Sequence, residues 1–234
     1  MTTTIIIIWI FATLTVGSLA GILGKRYGIE YPIALVSALV VMANIFANKI
    51  VMFGSYSVPA GVIVFSMTFF ITDIISEKWG KKYARKAVWA GFFSSLVLII
   101  SVYIVVSWPA APFAVEMGEM FGKVLYLTPR ITIAGFIAYI ISQNHDIWAF
   151  HFWKEKTNGK HLWLRNNAST VVSQLIDSVI FVTIAFYGIF PIVPLILGQW
   201  IVKIIIALID TPFMYYTIWL MDKIKPHNAH QQTP

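Results

Sequence analysis

Seven long apolar segments, separated by short polar connections, run through the chain. At 1.5 Å per residue, about 20 helical residues cross a hydrocarbon core roughly 30 Å thick. The pattern therefore predicts an all-α, polytopic membrane protein with one helical domain over residues 1–225. We expect residues 226–234 to be a disordered tail. The predicted segments are 4–23, 31–52, 59–76, 87–107, 125–142, 167–189 and 192–220.

Composition supports this prediction. The chain is 59% hydrophobic and 12% charged, whereas a soluble domain carries roughly 25% charged residues. The sequence contains no cysteine, which excludes disulfides and thiolate metal sites. The net charge of +7 is basic, but the cations cluster between apolar segments, which indicates membrane topology rather than nucleic-acid binding.

The distribution of cations predicts the orientation of the chain. Lys and Arg in short connections stay cytoplasmic, and 13 of the 17 fall in alternate connections or in the C-terminal tail. We therefore expect the N-terminus outside, the C-terminus inside, and a six-helix unit preceded by an extra first span. A cleaved signal peptide is the alternative for residues 4–23, but that segment lacks a cationic n-region.

Four of the predicted spans carry a narrow stripe of polar residues. A charge near the bilayer centre costs on the order of 2.5–3.5 kcal/mol on insertion scales, so the stripes predict a polar cavity inside the bundle. The alternatives are hydrogen bonds that join helices, a structural Asp177–Lys203 ion pair, and snorkelling of Lys49 and Arg130. The stripes are Ser37, Asn44 and Asn48; Ser66, Asp73 and Glu77; Thr170, Gln174 and Asp177; and Gln199, Lys203 and Asp210.

Catalytic and metal motifs are missing from the sequence. It contains no HExxH, GxxxxGK[ST] or GxSxG pattern. His145, His151 and His161 fall in the predicted inner loop without metal-ligand spacing. We therefore expect no metal, no cofactor, no ATP hydrolysis by this chain and no enzymatic activity.

Several stretches resemble a known family, the queuosine-precursor transporters of the vitamin-uptake transporter group. The resemblance rests on TDIISEKWGKKYARKAVWAGF (72–92), LWLRNNASTVVSQLIDSVIFVTIAFYG (162–188), residues 129–160 and ANIFANK (43–49). It implies a six-helix core similar to the substrate-binding components of energy-coupling-factor transporters, in the cell membrane and without a dedicated ATPase module. It further implies import of 7-cyano-7-deazaguanine or 7-aminomethyl-7-deazaguanine. Some family members have a basic residue in place of Glu77, so no essential role is assigned to it.

The hydrogen-bonding groups of a deazaguanine indicate which side chains its binding site needs. A carboxylate can accept both N1–H and the amino group of the base, in charge-assisted hydrogen bonds, and an aromatic ring can stack on its face. Asp177 is the expected edge acceptor, and Asp73 is a candidate gate or proton site. The other expected substrate-binding residues are Lys203, Gln174, Asn44, Asn48, Arg130 and Gln199, and the candidate stacking partners are Phe46, Phe181, Trp200 and Phe70.

Three other functions remain open from the sequence. The chain could be a binding component for another small molecule that works with a separate ATPase. It could be an intramembrane enzyme that acts on a lipid headgroup through Asp73, Glu77 and the inner-loop histidines. It could also be a scaffold whose polar stripes only join helices. The preferred deazapurine, the energy source and the oligomeric state do not follow from the sequence.

Overall fold

A computed structural model describes residues 2–224 of the chain, which form eight helices and one two-stranded sheet within that range. The predicted tail, 226–234, lies outside the described residues. The elements are α1 (Thr2–Tyr27), α2 (Glu30–Phe46), β1 (Ile50–Phe53), β2 (Tyr56–Pro59), α3 (Val62–Trp79), α4 (Lys81–Ser107), α5 (Val115–Leu125), α6 (Thr128–Lys156), α7 (Leu162–Phe186) and α8 (Ile192–Lys223).

The long helices coincide with the seven predicted apolar segments. By length and composition, α1, α4, α7, α8 and a segment that joins α5 to α6 are able to cross a membrane. Helix α2 has only 17 residues, and α3 carries Asp73, Glu77 and Lys78 within its 18 residues. The chain is therefore an all-α polytopic membrane protein. A seven-span count, the likeness to energy-coupling-factor components and a cytoplasmic C-terminus stay predictions.

Helix α2 ends earlier than the sequence pattern suggested. The predicted segment 31–52 continues past Phe46, but in the structure its last residues form β1, which pairs antiparallel with β2. The Asn48 amide donates to the carbonyl oxygens of Asn44 and Ile45 at 3.4 and 3.0 Å, and such local bonds compete with helix continuation. Gly54, with φ +60°, opens the two-residue hairpin loop in the manner of a type II′ turn.

Helix α6 extends well beyond the predicted end at residue 142. It continues to Lys156, so His145 and His151 lie on a helix and not in an inner loop. The polar residues after 142 face neighbouring helices inside the bundle. The helix can therefore continue there without exposing these residues to lipid. The helix stops where Asn158 and Gly159 adopt positive φ, a common C-terminal signal.

A short helix, α5, lies in the connection between α4 and α6. It is amphipathic, and large apolar side chains such as Met117 and Phe121 on it are exposed. Phe113, just before the helix, is 94% exposed. An amphipathic helix beside a bundle of spans is typical of the membrane interface.

Antiparallel packing of the long helices gives the bundle two different ends. Helices α6 and α7 pack extensively as a hairpin, and α8 packs against α7, α1 and α3. At one end, which we call the cationic end, Glu77 forms ion pairs with Lys154 at 2.9 Å and with Arg165 at 2.7 Å. Lys78 and Asp222 pair there at 2.5 Å. The β1–β2 hairpin and α5 lie at the other end, the hairpin end.

Candidate functional site

A cavity lies inside the bundle, toward the hairpin end. Helices α2, α3, α6, α7 and α8 surround it, and Ala47, just before the hairpin, and Pro59, at the end of β2, line one side. The space inside it that water-sized molecules can occupy is about 30 Å³, which is enough for one or two waters. A larger ligand therefore requires the surrounding side chains or helices to move apart.

A buried ion pair crosses the cavity wall. The ammonium of Lys203 on α8 donates to Oδ2 of Asp177 on α7, and both side chains are almost fully buried. The hydroxyl of Ser142 donates to Oδ1 of the same carboxylate at 3.2 Å. Each carboxylate oxygen can accept further hydrogen bonds, so Asp177 retains acceptor capacity toward the cavity. The pair is neutral overall.

Two amide side chains complete the polar lining. Asn44 on α2 donates to the carbonyl oxygen of Val40 on its own helix, at 3.0 Å. Gln199 on α8 donates to the hydroxyl of Ser178 at 3.3 Å. Both are buried and line the cavity, and an amide offers both a donor and an acceptor. The lining therefore presents neutral hydrogen-bonding groups beside the ion pair.

Aromatic rings supply the apolar part of the lining. Phe65 on α3 and Phe181 on α7 both border the cavity. The Lys203 ammonium lies 4.7 Å from the centroid of the Phe65 ring, a cation–π distance. The ring of Tyr139 packs against the ring of Phe65, with the ring centroids 5.9 Å apart. A flat ligand can therefore meet an aromatic face and the polar groups together.

Two glycines allow α2 to approach closely enough to form the cavity. A Cβ at Gly135 on α6 would lie 2.3 Å from Oδ1 of Asn44, and a Cβ at Gly61 would lie 2.3 Å from the carbonyl oxygen of Ala43. Both distances are far inside van der Waals contact. Gly135 thus determines where the Asn44 amide sits relative to the cavity.

Comparison with known proteins identifies the family of this chain. The family described as putative vitamin uptake transporter matches residues 59–217, more than half of the chain. The chain belongs to this family. The family is described as one of transporters, which agrees with the expectation that the chain is not an enzyme.

Three relatives carry similar names. A protein of Bacillus subtilis strain 168, "Probable queuosine precursor transporter", is 29% identical over 211 residues, or 88% of this chain and 92% of the relative. The "Queuosine precursor transporter" of Escherichia coli K12 is 24% identical over 70% of this chain and 71% of its own length. A probable transporter of the same description from Haemophilus influenzae is 29% identical over 54% of this chain and 51% of its own. No solved structure matches the chain.

The structure brings together four of the seven substrate-binding residues predicted in this family member: Asp177, Lys203, Asn44 and Gln199. The other three lie elsewhere. Gln174 is buried one helical turn from Asp177, and its Oε1 has no hydrogen-bond donor. Asn48 accepts from Thr128 at 3.1 Å, and Arg130 donates to the carbonyl oxygens of Ile184 and Tyr187 at 2.7 and 2.8 Å.

Among the predicted stacking residues, Phe181 lines the cavity. Phe46 packs against Trp9, Phe70 lies in the hydrophobic core, and the indole of Trp200 donates to the carbonyl oxygen of Val171 at 3.1 Å. Phe65 and Gly135 were not identified from the sequence. Phe65 lies one residue before the predicted Ser66 stripe, and only the packing of α3 against α8 shows which side of it faces the cavity.

Asp73 lies outside the cavity, nearer the cationic end. It is buried close to two further carboxylates, Asp146 on α6 and Asp210 on α8. The sequence prediction ended the fifth span before Asp146 and therefore missed this neighbour. Across residues 2–224, no group of His, Cys, Asp and Glu side chains has the arrangement of a metal site.

Proposed function

We propose that this chain is a membrane transporter that imports a queuosine precursor, with a 7-deazaguanine base as the substrate. The observation that carries the proposal is the cavity, in which Asp177, Lys203, Asn44 and Gln199 stand beside the rings of Phe65 and Phe181. Membership of a transporter family and the names of the relatives support it. The substrate-binding role of these residues is part of the proposal.

The chemistry of the base matches the lining. Asp177 accepts hydrogen bonds from N1–H and the amino group of the base, as charge-assisted bonds. Lys203 or an amide donates to the ring carbonyl, and a phenyl ring stacks on the flat face, at about 1–3 kcal/mol for a base on an aromatic side chain. Burial of the base between these groups excludes water, which strengthens each polar contact.

The charge of the cavity favours one of the two candidate substrates. Because Lys203 neutralises Asp177, the lining carries no net charge, and a cationic ligand entering it loses hydration without gaining a free anion. The neutral 7-cyano-7-deazaguanine therefore fits better than the cationic 7-aminomethyl compound. The chain acts without a dedicated ATPase in this proposal, so binding and transport need only the purified protein.

Thermal stabilisation of the purified protein tests the proposal. A ligand that binds only the folded state at one hundred times its Kd stabilises it by about 2.7 kcal/mol. We expect 7-cyano-7-deazaguanine to raise the Tm more than the 7-aminomethyl compound, and riboflavin to have no effect. Guanine, which shares the hydrogen-bonding edge but lacks the 7-substituent, measures how much that substituent contributes. If neither deazapurine raises the Tm at a saturating concentration, the proposed substrate is contradicted.

Two asparagines provide a matched pair of variants. Asn44 and Asn144 each donate to the carbonyl oxygen four residues earlier on their own helix, at 3.0 and 2.8 Å, but only Asn44 lines the cavity. Asn44→Ala should reduce the ligand-induced shift, whereas Asn144→Ala should retain it. Equal shifts in both variants would exclude Asn44 from the binding site.

The ion pair requires a double variant. Removing one partner of a buried pair leaves an uncompensated charge and costs about 3–5 kcal/mol of stability. A single variant that shows no ligand-induced shift has therefore lost either its fold or its binding site, and the shift does not distinguish the two. Asp177→Asn combined with Lys203→Met removes both charges. The double variant should fold and lose ligand stabilisation. A double variant that still binds the base like the wild type would show that the ion pair is only structural.

A further inference from the structure

Three carboxylates are buried together inside the bundle, at the level of the predicted gate residue. Asp73 on α3, Asp146 on α6 and Asp210 on α8 are each at most 3% exposed. Asp146 lies beside Asp73, and Asp210 lies close to both. We call Asp73, Asp146 and Asp210 the carboxylate cluster. Three anions so close together in a membrane domain are unstable unless positive charge compensates them.

No cationic side chain compensates the carboxylate cluster within residues 2–224. The lysines and arginines on the helices that build it form ion pairs with other acids or contact a backbone carbonyl or an aromatic ring, as Arg130, Lys156 and Lys223 do. One titratable base approaches the cluster through a hydroxyl: Nδ1 of His145 on α6 lies 2.9 Å from the hydroxyl of Ser173, which lies next to Asp146. The ion pairs on α3, α6, α7 and α8 are Lys78–Asp222, Lys154–Glu77, Arg165–Glu77 and Lys203–Asp177.

The hydroxyls of Ser169, Thr170 and Ser173 lie close to Asp146, but each of them donates to another acceptor. Both oxygens of Asp146 and one oxygen of Asp73 have no donor. The neighbouring hydroxyls of Ser169 and Ser173 donate to backbone carbonyls of α7, and Thr170 supplies a single bond to Asp73 at 3.4 Å. The surroundings therefore leave several buried acceptors without a proton.

Two buried amides on α7 show the same deficit independently. Asn166 on α7 is 1% exposed and donates to Asp210 at 3.1 Å, but its own Oδ1 has no donor. Gln174, also 1% exposed and one turn from Thr170 on the same helix, has an unpartnered Oε1. Buried acceptors without donors are rare. A protonated carboxyl group is a hydrogen-bond donor. Protonation of the cluster therefore removes negative charge and also supplies the missing hydrogen-bond donors.

We propose that the carboxylate cluster is a proton-binding site that couples proton entry to movement of the base. Coupling rests on the proposed function, whereas proton binding does not. A bound metal ion fits less well, because the carboxylates and histidines of residues 2–224 do not converge as metal ligands do. Protons need no such convergence.

The helices connect the carboxylate cluster directly to the cavity. Lys203 and Asp210 are seven residues apart on α8, which is two turns or about 10 Å. Ser142, which bonds to Asp177, precedes Asp146 by one turn on α6. Thr170, Gln174 and Asp177 follow one face of α7. A shift of α7 or α8 against α6 therefore changes the cavity and the cluster together, and the cluster lies between the cavity and the cationic end.

Infrared spectroscopy of the purified, substrate-free protein tests proton binding. A protonated carboxyl has a C=O stretching band separate from the amide bands, and we expect this band at neutral pH in the wild type. Replacing all three residues by Asn should remove it. Asp146→Asn alone, which should weaken the band, serves if the triple variant does not fold. Asp222→Asn, an exposed acid on the same helix as Asp210, is the control and should leave the band unchanged.

Transport in liposomes tests coupling. With the membrane potential clamped at zero and one proton per base, a gradient of one pH unit, acid outside, should support about tenfold accumulation of 7-cyano-7-deazaguanine. Asp146→Asn should lose accumulation but retain exchange of labelled for unlabelled base at equal pH. Asp222→Asn should accumulate like the wild type.

The outcomes separate the two proposals. A wild type without the infrared band, or with a band that the Asn variants keep, overturns the proton site whether or not any base binds. The infrared band can behave as expected while accumulation of the base does not depend on the pH gradient, or depends on a sodium gradient instead. That result overturns the coupling. Failure of the base to bind the wild type, by thermal stabilisation, overturns the proposed function and leaves the infrared result to decide on the proton site.

Discussion

At the scale of single residues, Gly135 is the position that the cavity depends on most. A methyl group there would meet Oδ1 of Asn44 at 2.3 Å and the ring of Phe181 at 3.7 Å, so Gly135→Ala must push the amide aside or fill the cavity. Overpacking of this kind costs about 1–3 kcal/mol, partly offset by the better helix propensity of Ala. We expect the variant to fold and to bind 7-cyano-7-deazaguanine at least tenfold more weakly, about 1.4 kcal/mol, as measured by titration calorimetry.

The control for Gly135→Ala is Gly122→Ala on α5. A Cβ at Gly122 meets only Val106, at an ordinary contact distance of 3.8 Å. This variant should bind the base like the wild type. Unchanged affinity in Gly135→Ala would show that the base does not occupy the space between α2 and α6.

Single residues also show the limits of sequence-based prediction. Asp177 and Lys203 could be predicted as residues of an interior polar cavity, because each is a charge inside an apolar run, and such a charge is costly unless it has a partner. Phe65 and Gly135 could not be predicted, since phenylalanine and glycine are common in apolar spans and only packing distinguishes one from another. Arg130 and Asn48 were predicted to bind substrate, but their side chains bond to helix ends.

At the scale of helices, Glu77 joins three elements at the cationic end. Its carboxylate on α3 pairs with Lys154 on α6 and with Arg165 on α7. The Arg165 side chain is 2% exposed and donates to the carbonyl oxygens of Gly159 and Lys160 in the α6–α7 connection. The role of Glu77 in this structure is therefore to hold helix ends together, and it lies outside the cavity.

We expect Glu77→Gln to destabilise the protein strongly. The change leaves the buried Arg165 guanidinium without its anion, which costs about 3–5 kcal/mol, and thermal unfolding in detergent measures the loss. Asp222→Asn is the comparison, because Asp222 is 65% exposed in its pair with Lys78 and exposed pairs contribute about 0–1 kcal/mol. Similar melting temperatures for the two variants would contradict the buried ion pair.

The helices themselves were predicted well, and their ends less well. Hydrophobicity identifies where a helix can lie in a membrane, so the seven apolar segments coincide with seven long helices. It does not show where polar residues remain helical inside a bundle. Helix α6 therefore continues fourteen residues beyond 142, and Asp146 was missed as a neighbour of Asp73. Local side-chain bonds at Asn48 likewise end α2 within an apolar run.

At the scale of the whole molecule, the two ends of the bundle differ in charge and in surface. Ion pairs hold Lys78 of α3, Lys154 of α6 and Arg165 of α7 at the cationic end. The hairpin end carries α5 and exposed aromatic residues such as Phe113 and Tyr126. Since Lys and Arg resist translocation, the cationic end should face the cytoplasm, and the cavity, which lies toward the hairpin end, should receive the base from outside.

Cysteine labelling in intact cells tests this orientation directly. The sequence has no cysteine, so a single introduced cysteine reports on one position without background. A membrane-impermeant maleimide should label Phe113→Cys in intact cells and Lys82→Cys only after the cells are permeabilised, because Phe113 is at the hairpin end and Lys82 lies in the first turn of α4 at the cationic end. The reverse pattern would place the cavity toward the cytoplasm. The carboxylate cluster would then lie on the outer side of the base, and protons and base would reach their sites in the opposite order.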